Sequence, residues 1–172
     1  MRDRRAPASA QTKRPAVIGI IGESQLSDPV HGELAEEVGR LVASSGYTLV
    51  CGGLTGVMEA ACRGAKQAGG QTVGILPGTD RTEANAYVDV AIPTGLGQLR
   101  NAVIVLTADV LIAIGGGFGT LSEIGHALRY GKTVIGLRTW EIAKAGERAP
   151  IVVVESPQQA LAAVARAVPR LQ

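Results

Sequence analysis

The sequence predicts an α/β protein with a Rossmann-like, doubly wound and mainly parallel sheet that carries helices on both faces. Short apolar runs alternate with helical patterns along most of the chain, which is the rhythm of βαβ units with right-handed crossovers. The runs are continuously apolar, as expected of parallel strands that are covered on both faces. Glycine is also abundant, with 23 residues, and it clusters where strands lead into helices.

Six apolar runs have the length and composition of buried strands. A seventh run, residues 88–92, is less apolar and is expected to form a weaker strand. The six predicted strands span residues 16–21, Thr48–Cys51, Thr72–Leu76, Val110–Ile114, Thr133–Leu137 and Ile151–Val154.

Five helical patterns separate these runs, and two of them begin with a clear N-cap. Asp28-Pro29 places a capping carboxylate before a proline at the first helical position, and the helix that follows should end near Gly46. Ser156-Pro157 opens the last helix, which runs to about residue 168. Residues 139–149 are expected to form a polar loop without an evident role. The other three predicted helices span residues 57–68, 99–108 and 121–130.

The chain length fits one domain, and we expect residues 16–172 to form it. Residues 1–15 hold five basic residues against one acidic residue and are expected to be a flexible basic tail. The whole chain has a net charge of +2, so the predicted domain itself is slightly acidic. A surface of that charge does not favour nucleic acid as a partner.

No segment predicts a membrane or secretory role. The longest apolar stretch, residues 102–117, is interrupted by Asp109 and is too short to cross a bilayer. No apolar segment follows Arg4-Arg5, so we expect a cytoplasmic protein without a signal sequence. Cys51 and Cys62 have neither metal-binding nor redox spacing, and the sequence therefore predicts two buried thiols and no metal site.

The loops at the carboxyl ends of the strands are the expected ligand site of a doubly wound sheet. Two of them, residues 52–56 and 115–120, are glycine-rich and lead directly into helices. The first turn of a helix offers unpaired N–H groups, and glycine lets an anion approach them, so we predict a phosphate site here. The candidate ligand-binding residues in these loops are Gly22, Gly52, Gly53, Gly56, Pro77, Gly116, Gly117, Phe118, Gly119 and Thr120.

The dinucleotide fingerprint G-x-G-x-x-G is absent from these loops. It fails after the first strand, where the chain reads GIIGES, and it fails again at residues 115–120, which end in Thr120. Because this fingerprint shapes the usual pyrophosphate site of nicotinamide-dependent enzymes, its absence argues against a hydride-transfer enzyme.

Two charged residues near these loops each have a structural and a functional interpretation. Thr120 and Glu123 have the spacing of a capping box, in which Glu123 would bond to its own helix backbone. Alternatively, Glu123 lies at the mouth of the phosphate loop and faces the ligand. Arg100 is either a solvated surface residue or the partner of an anion, because a cation opposes the dipole at the start of a helix. His126 is predicted to be structural.

Several segments resemble the LOG-like superfamily, whose members are often labelled lysine decarboxylase-like. GGGFGTLSE, at residues 115–123, is similar to the signature P-G-G-x-G-T-x-x-E of that superfamily. Together with CGGLTGVMEAACRGAKQAGG, GILPG and EANAYVDVAIPTGLGQLRN, it extends the resemblance over residues 17–137 and to the branch that includes molybdenum cofactor carrier proteins. The resemblance implies a Rossmann-like fold, a phosphate site at residues 116–120, and a homo-oligomer, either a dimer or a tetramer.

The resemblance also implies two alternative functions. In LOG enzymes an arginine and the signature glutamate cleave the N-glycosidic bond of a nucleoside 5′-monophosphate, and Arg100 and Glu123 occupy those positions here. In carrier proteins a related pocket holds a phosphorylated pterin without turnover. Three departures from the enzyme pattern favour the carrier branch, namely Gly115 for proline, Ser122 for glutamate and Asn101 for lysine.

We therefore expect a protein that binds a phosphorylated nucleotide-like or pterin-like small molecule, with Asn101 as a further ligand-binding residue. The expected ligand is a nucleoside monophosphate or a molybdopterin-type cofactor, and no other cofactor is required. The alternative is a LOG-like phosphoribohydrolase with Arg100 and Glu123 as catalytic residues. The sequence thus leaves enzymatic activity open.

Overall fold

A seven-stranded parallel sheet forms the centre of the molecule in the computed structural model, which describes residues 14–168. Every neighbouring pair of strands in this sheet is parallel, and the strand order is β4-β3-β2-β1-β5-β6-β9. The strands are β1 (Val17–Gly22), β2 (Thr48–Cys51), β3 (Thr72–Leu76), β4 (Val90–Pro93), β5 (Val110–Ile114), β6 (Thr133–Leu137), β7 (Ala143–Lys144), β8 (Glu147–Arg148) and β9 (Ile151–Val154). The predicted Rossmann-like fold is confirmed.

Five α-helices cover the two faces of this sheet. Buried residues of α1, α2 and α5 pack in one apolar cluster, and those of α3 and α4 pack in a second cluster on the opposite face. The helices are α1 (Pro29–Ser44), α2 (Val57–Gln67), α3 (Asn101–Thr107), α4 (Phe118–Arg129) and α5 (Pro157–Ala167). Both predicted N-caps are confirmed, because Asp28 accepts a hydrogen bond from the Val30 amide and Ser156 accepts one from the Gln159 amide.

The order of the strands places a crevice between β1 and β5. The chain adds β2, β3 and β4 on one side of β1 and then returns to add β5 on the other side. At such a switch point the loops after the two central strands diverge, and the space between them is the preferred ligand site of the fold. Here those loops begin at Gly22 and Gly115.

The structure differs from the prediction at three elements. Helix α4 begins at Phe118 rather than at residue 121, and α3 begins at Asn101 after a 3-10 turn over Gly97–Arg100. Glycine disfavours helix, so the sequence pattern placed the start of α4 after Gly119, whereas burial of Thr120 draws the first turn into the core. Residues 139–149 are not a simple loop, because β7 and β8 form an antiparallel hairpin within them.

The predicted basic tail, residues 1–15, lies outside the described residues except for Arg14 and Pro15. Arg14 donates a hydrogen bond from Nη2 to the Asp109 carboxylate at 2.9 Å, and Asp109 also accepts from the Val17 amide at the start of β1. Within residues 14–168 no helix combines the length and the apolar character that crossing a membrane requires.

Candidate functional site

A cavity of about 810 Å³ lies at the switch point, at the carboxyl ends of β1, β2 and β5; we call it the main cavity. Its walls are formed by the loop after β1, the start of the loop after β2, the turn that leads into α3, and the first turns of α4. Its size is within the range of small-molecule sites. The predicted site residues that line it are Gly22, Gly52, Arg100, Asn101, Gly117, Phe118, Gly119, Thr120 and Glu123.

Four predicted ligand-binding residues do not line the main cavity. Gly53 holds the loop after β2, because its carbonyl accepts hydrogen bonds from the backbone and side chain of Asn85. The Pro77 carbonyl accepts from the Gly97 amide at 2.9 Å and so joins two loops. Gly56 packs against the backbone of the loop after β1. Gly116 lines a smaller neighbouring cavity instead. Gly53, Gly56 and Pro77 therefore determine the shape of loops, and none of the four residues forms part of the wall of the main cavity.

The glycine loop, residues 115–120, presents unpaired backbone N–H groups at the start of α4. Gly117 is the N-cap, with extended backbone and no side-chain capping bond, and the first backbone bond of the helix is donated by Leu121 to the Gly117 carbonyl. Within the described residues, the amides of Phe118, Gly119 and Thr120 have no protein acceptor. The positive end of the helix dipole lies at the same place, so this turn favours an anion.

Residues 139–140 brace the glycine loop from the side. Thr139 donates a hydrogen bond from Oγ1 to the Gly115 carbonyl at 2.5 Å, and Trp140 donates from Nε1 to the Gly117 carbonyl at 3.2 Å. The Trp140 ring also packs against Phe118, with 5.7 Å between ring centroids. With two of its carbonyls fixed, the loop keeps its amides available to the cavity.

Gly115 shows why the signature proline is absent. Its φ is +55°, a left-handed conformation that proline cannot adopt because its ring fixes φ near −65°. A Cβ at Gly115 would also lie 2.5 Å from Nδ1 of His31. His31 is held there by Glu23, whose Oε1 lies 2.8 Å from the same Nδ1. The His31 ring, held by Glu23, therefore occupies the space that a side chain at position 115 would need.

We expect the substitution Gly115→Ala to destabilise the protein by about 2–3 kcal/mol, because it adds left-handed strain and a contact with the His31 ring. Gly117→Ala is the matched control, since Gly117 has a φ of −91° and no atom within 4 Å of its Cβ position. Chemical denaturation of both variants measures the difference. Equal stability of the two variants would contradict the role of the His31 contact.

Arg100 is buried rather than solvated at the surface. It is only 6% exposed, at the end of the 3-10 turn before α3. Its Nη1 donates to the Asn101 side-chain carbonyl and its Nη2 to the Gly52 carbonyl, whereas its buried Nε has no partner within the described residues. Burial lowers the pKa of Arg100, and the charge of Glu123 opposes that shift. The residue lines the main cavity, and its guanidinium has no ion pair within the described residues.

Gly52 makes room for this guanidinium. A Cβ at position 52 would lie 2.5 Å from Nη2 of Arg100 and 2.7 Å from the Met58 sulfur. The sequence associated this glycine with close approach of a phosphate to the backbone. The structure gives a different reason for it, which is close approach of the Arg100 side chain.

Glu123 does not form the capping box. Thr120 is in the first turn of α4 rather than at its N-cap, and no capping side chain bonds to that turn. Glu123 is buried at 6% exposure and lines the main cavity, and no protein hydrogen bond to its carboxylate is present among the described residues. Burial raises its pKa to about 8, with Arg100 acting in the opposite direction. The carboxyl is therefore mainly protonated at neutral pH.

A short polar chain links the arginine to the glycine loop. The Asn101 side chain accepts from Arg100, and its Nδ2 lies 3.4 Å from Oγ of Ser122. Ser122 in turn donates to the Gly119 carbonyl at 2.7 Å. His126 lies one turn further along α4, lines the main cavity, and has its Nδ1 2.8 Å from the Ser122 carbonyl. These residues place the guanidinium beside the start of α4.

The two cysteines are buried, as predicted, and lie behind the cavity. Their Sγ atoms are 3.5 Å apart, and the Gly53 amide donates to Sγ of Cys51. In residues 14–168 there is no cluster of three histidine, cysteine, aspartate or glutamate side chains that would suit a metal ion.

Sequence reasoning missed several residues that shape the site. Trp140, Thr139 and His31 contact the glycine loop from distant parts of the chain, and Glu23 lines the main cavity. One signal was present, because Trp140 is the only tryptophan in the chain and lies in an otherwise polar segment. Glu23 lies in the loop that directly follows the first predicted strand, where a ligand site is expected, whereas His31 carried no comparable signal.

The parallel Rossmann-like sheet, with an arginine and a glutamate beside a glycine-rich helix start, defines a protein of the LOG-like class. The model of the SLOG cluster4 family matches residues 15–161. The chain belongs to this family.

Two solved structures and one enzyme sequence are similar to most of the chain. The solved structure of the molybdenum cofactor binding protein from Rippkaea orientalis superposes with a TM-score of 0.84 at 37% identity, covering 90% of this chain and 98% of that one. The molybdenum cofactor carrier protein of Chlamydomonas reinhardtii gives a TM-score of 0.82 at 36% identity, with 91% and 99% coverage. The cytokinin riboside 5′-monophosphate phosphoribohydrolase of Mycobacterium tuberculosis is 32% identical, covering 81% of this chain and 89% of the relative.

Proposed function

We propose that the protein binds a phosphorylated small molecule with a planar ring, either a nucleoside monophosphate or a molybdopterin-type cofactor, and releases it unchanged. The phosphate bonds to the amides of Phe118, Gly119 and Thr120, and Arg100 supplies the positive charge. Similarity to a cofactor binding protein and to a cofactor carrier protein supports this proposal. The ligand is the cargo, and no resident cofactor is required.

The observation that carries the proposal is that a helix start and a buried cation meet at one cavity. The first turn of α4 has amides without protein acceptors, and Phe118 and Gly119 are exposed, so these amides are open to a ligand. Arg100 lines the same cavity, and its buried charge has no ion pair within the described residues. A phosphate accepts hydrogen bonds from the amides, and its charge offsets that of the guanidinium.

The state of Glu123 favours binding over bond cleavage. A protonated carboxyl donates a hydrogen bond to a ligand, but it neither accepts a proton nor stabilises a developing ribosyl cation. With its pKa raised to about 8 by burial, Glu123 is mostly in that form at neutral pH. A carrier needs only the hydrogen bond.

A phosphoribohydrolase is the second candidate, because a cytokinin riboside 5′-monophosphate phosphoribohydrolase is similar to most of this chain. In that reaction the glycine loop would hold the 5′-phosphate, Arg100 would position anionic groups, and an ionised Glu123 would stabilise the ribosyl cation and assist water. Ionisation of Glu123 would then limit turnover. Base release would therefore increase as the pH rises toward 8.

Ligand titration decides between the two candidates. We expect AMP or a pterin phosphate to raise the thermal midpoint and to be recovered intact after incubation, whereas adenosine, which lacks the phosphate, should have no effect. Chromatography for free adenine tests the alternative directly. Absence of binding to any nucleotide or pterin phosphate would contradict the proposal. Native mass spectrometry of the same sample measures retained ligand and tests the expected dimer or tetramer.

A further inference from the structure

A second cavity, of about 320 Å³, lies beside the main cavity at the ends of β1, β5 and β6. Glu23 and His31 form one side of it, Gly116 forms part of the floor, and Arg138 and Trp140 form the side that follows β6. None of the functions argued above uses this cavity. Its volume is more than a phosphoryl group needs, so it has room for a phosphate and part of the group attached to it.

The two cavities adjoin along the glycine loop. Glu23 lines both of them. The loop divides its residues between the two, because Gly115 and Gly116 face the second cavity and Gly117, Phe118, Gly119 and Thr120 face the main one. The two cavities therefore lie on either side of the glycine loop and meet at Glu23.

The lining of the second cavity holds an exposed arginine, Arg138, and a carboxylate, Glu23. The Glu23 carboxylate is already engaged, because it accepts hydrogen bonds from the Ser27 amide and hydroxyl and lies 2.8 Å from Nδ1 of His31. Although burial alone would raise the pKa of Glu23, these contacts lower it below its usual value, so the group stays ionised and paired. Arg138 supplies a positive charge that no carboxylate within the described residues lies close enough to pair with.

The backbone of Arg138 is held in an unusual conformation at this place. Its φ is +50°, in the left-handed region that side chains with a Cβ rarely adopt. The two residues that follow it fix the strand end, since Thr139 and Trp140 bond to the Gly115 and Gly117 carbonyls. Such strain persists where the surrounding structure enforces it, and it is concentrated at functional sites. Here it keeps an arginine at the edge of the second cavity.

We propose that the second cavity is a subsite for a second phosphoryl group of the same ligand, bound by Arg138, so that the protein prefers a nucleoside diphosphate to the corresponding monophosphate. This inference rests on the proposed function. One phosphate occupies the amides of α4, and the other lies across the glycine loop beside Arg138. A charge-assisted contact of this kind makes ADP bind about tenfold more tightly than AMP.

Trp140 provides a direct measure of occupancy. It lines the second cavity and is the only tryptophan in the chain, but it also packs against Phe118 beside the main cavity. The change in emission with AMP is therefore the baseline, and any additional change with ADP reports on the second cavity. We expect ADP to change Trp140 emission more than AMP does at equal saturation. Calorimetry on the same samples gives the affinity for each nucleotide without relying on fluorescence.

Three variants distinguish the effect of the Arg138 charge from the effect of its left-handed backbone conformation. Arg138→Asn removes the charge and keeps a residue that tolerates the left-handed conformation, and Arg138→Lys keeps the charge. Arg148→Asn is the matched control, because Arg148 is an exposed arginine on β8 that lines neither cavity. We expect Arg138→Asn to bind AMP and ADP equally, with AMP affinity unchanged within twofold. Arg138→Lys and Arg148→Asn should keep a preference for ADP.

Each other outcome contradicts the inference. If AMP binds but ADP binds no more tightly, or if Arg138→Asn keeps the preference, the second cavity is not a phosphoryl subsite and the proposed function stands. If ADP binds more tightly without changing Trp140 emission, the second phosphate lies elsewhere. If neither nucleotide binds, the inference fails, and the pterin phosphate titration then decides the proposed function separately.

Discussion

Replacing Arg100 with methionine is expected to reduce phosphate-ligand affinity at least a hundredfold while leaving the protein as stable as before, or more stable. The guanidinium is buried without an ion pair within 4 Å among the described residues, and its Nε has no partner. Burying a charge is costly, and replacing it with an apolar side chain of similar length is commonly neutral or stabilising, here by up to about 2 kcal/mol. The ligand, by contrast, loses the charge that its phosphate contacts.

Calorimetric titration with AMP and chemical denaturation measure the two effects on one sample. Arg40→Met is the control, because Arg40 is an exposed arginine on α1 that bonds to Glu37 and lies outside the cavity lining. This variant should change neither affinity nor stability appreciably. Retained affinity in Arg100→Met would show that the guanidinium does not contact the ligand. A large loss of stability would instead assign Arg100 a structural role.

Replacing Glu123 with glutamine is expected to remove the contribution of Glu123 to the pH dependence of both stability and binding between pH 5 and 9. Burial raises the Glu123 pKa from 4.5 to about 8 in the folded protein, so the folded state holds a proton that the unfolded chain releases. The free energy of unfolding of the wild type therefore falls as the pH rises from about 4.5 to about 8, and it levels off above that. Glutamine is neutral throughout.

At pH 8 the glutamine variant should be more stable than the wild type by about 4 kcal/mol, and at pH 4.5 the two should be nearly equal. The affinity of the wild type for AMP should also fall as the pH rises. An ionised Glu123 repels the ligand phosphate, so the affinity of the wild type for AMP should fall about tenfold from pH 7 to pH 9. The affinity of the glutamine variant for AMP should not show this fall.

The same variant separates the two candidate functions. For a binding protein, Glu123→Gln retains ligand at pH 7, because the amide donates the hydrogen bond that the protonated carboxyl donates. For a phosphoribohydrolase, it abolishes release of free base. A wild-type protein whose stability does not change between pH 4.5 and 8 would contradict the buried, protonated state of Glu123 itself.

The predicted strands and helix caps match the structure closely because their causes are local. Continuously apolar runs such as Val110–Ile114 have one way to exclude water on both faces, which is a central parallel strand. Asp28 and Ser156 cap helices through bonds to residues two or three positions away, so a short segment contains all the required information.

The environment of the site residues was less accessible to sequence reasoning. Thr120 and Glu123 have the spacing of a capping box, yet α4 begins two residues before Thr120 and buries both side chains. That local pattern competes with packing of the first turn against the core, and packing prevails. Arg100 likewise had an ordinary surface interpretation, which burial against Gly52 and Asn101 overturns.

By itself the sequence determined the class of fold, the strand ends at which the main cavity lies, and the glycine loop with its arginine and glutamate. Only the tertiary structure decided that the arginine and the glutamate are buried without pairing to each other, that Gly115 accommodates His31, and that Thr139 and Trp140, which follow β6, bond to the glycine loop. The physical reason is the distance along the chain over which each property is determined. Backbone conformation follows from neighbours in the chain, whereas desolvation of a charge depends on distant segments that pack around it.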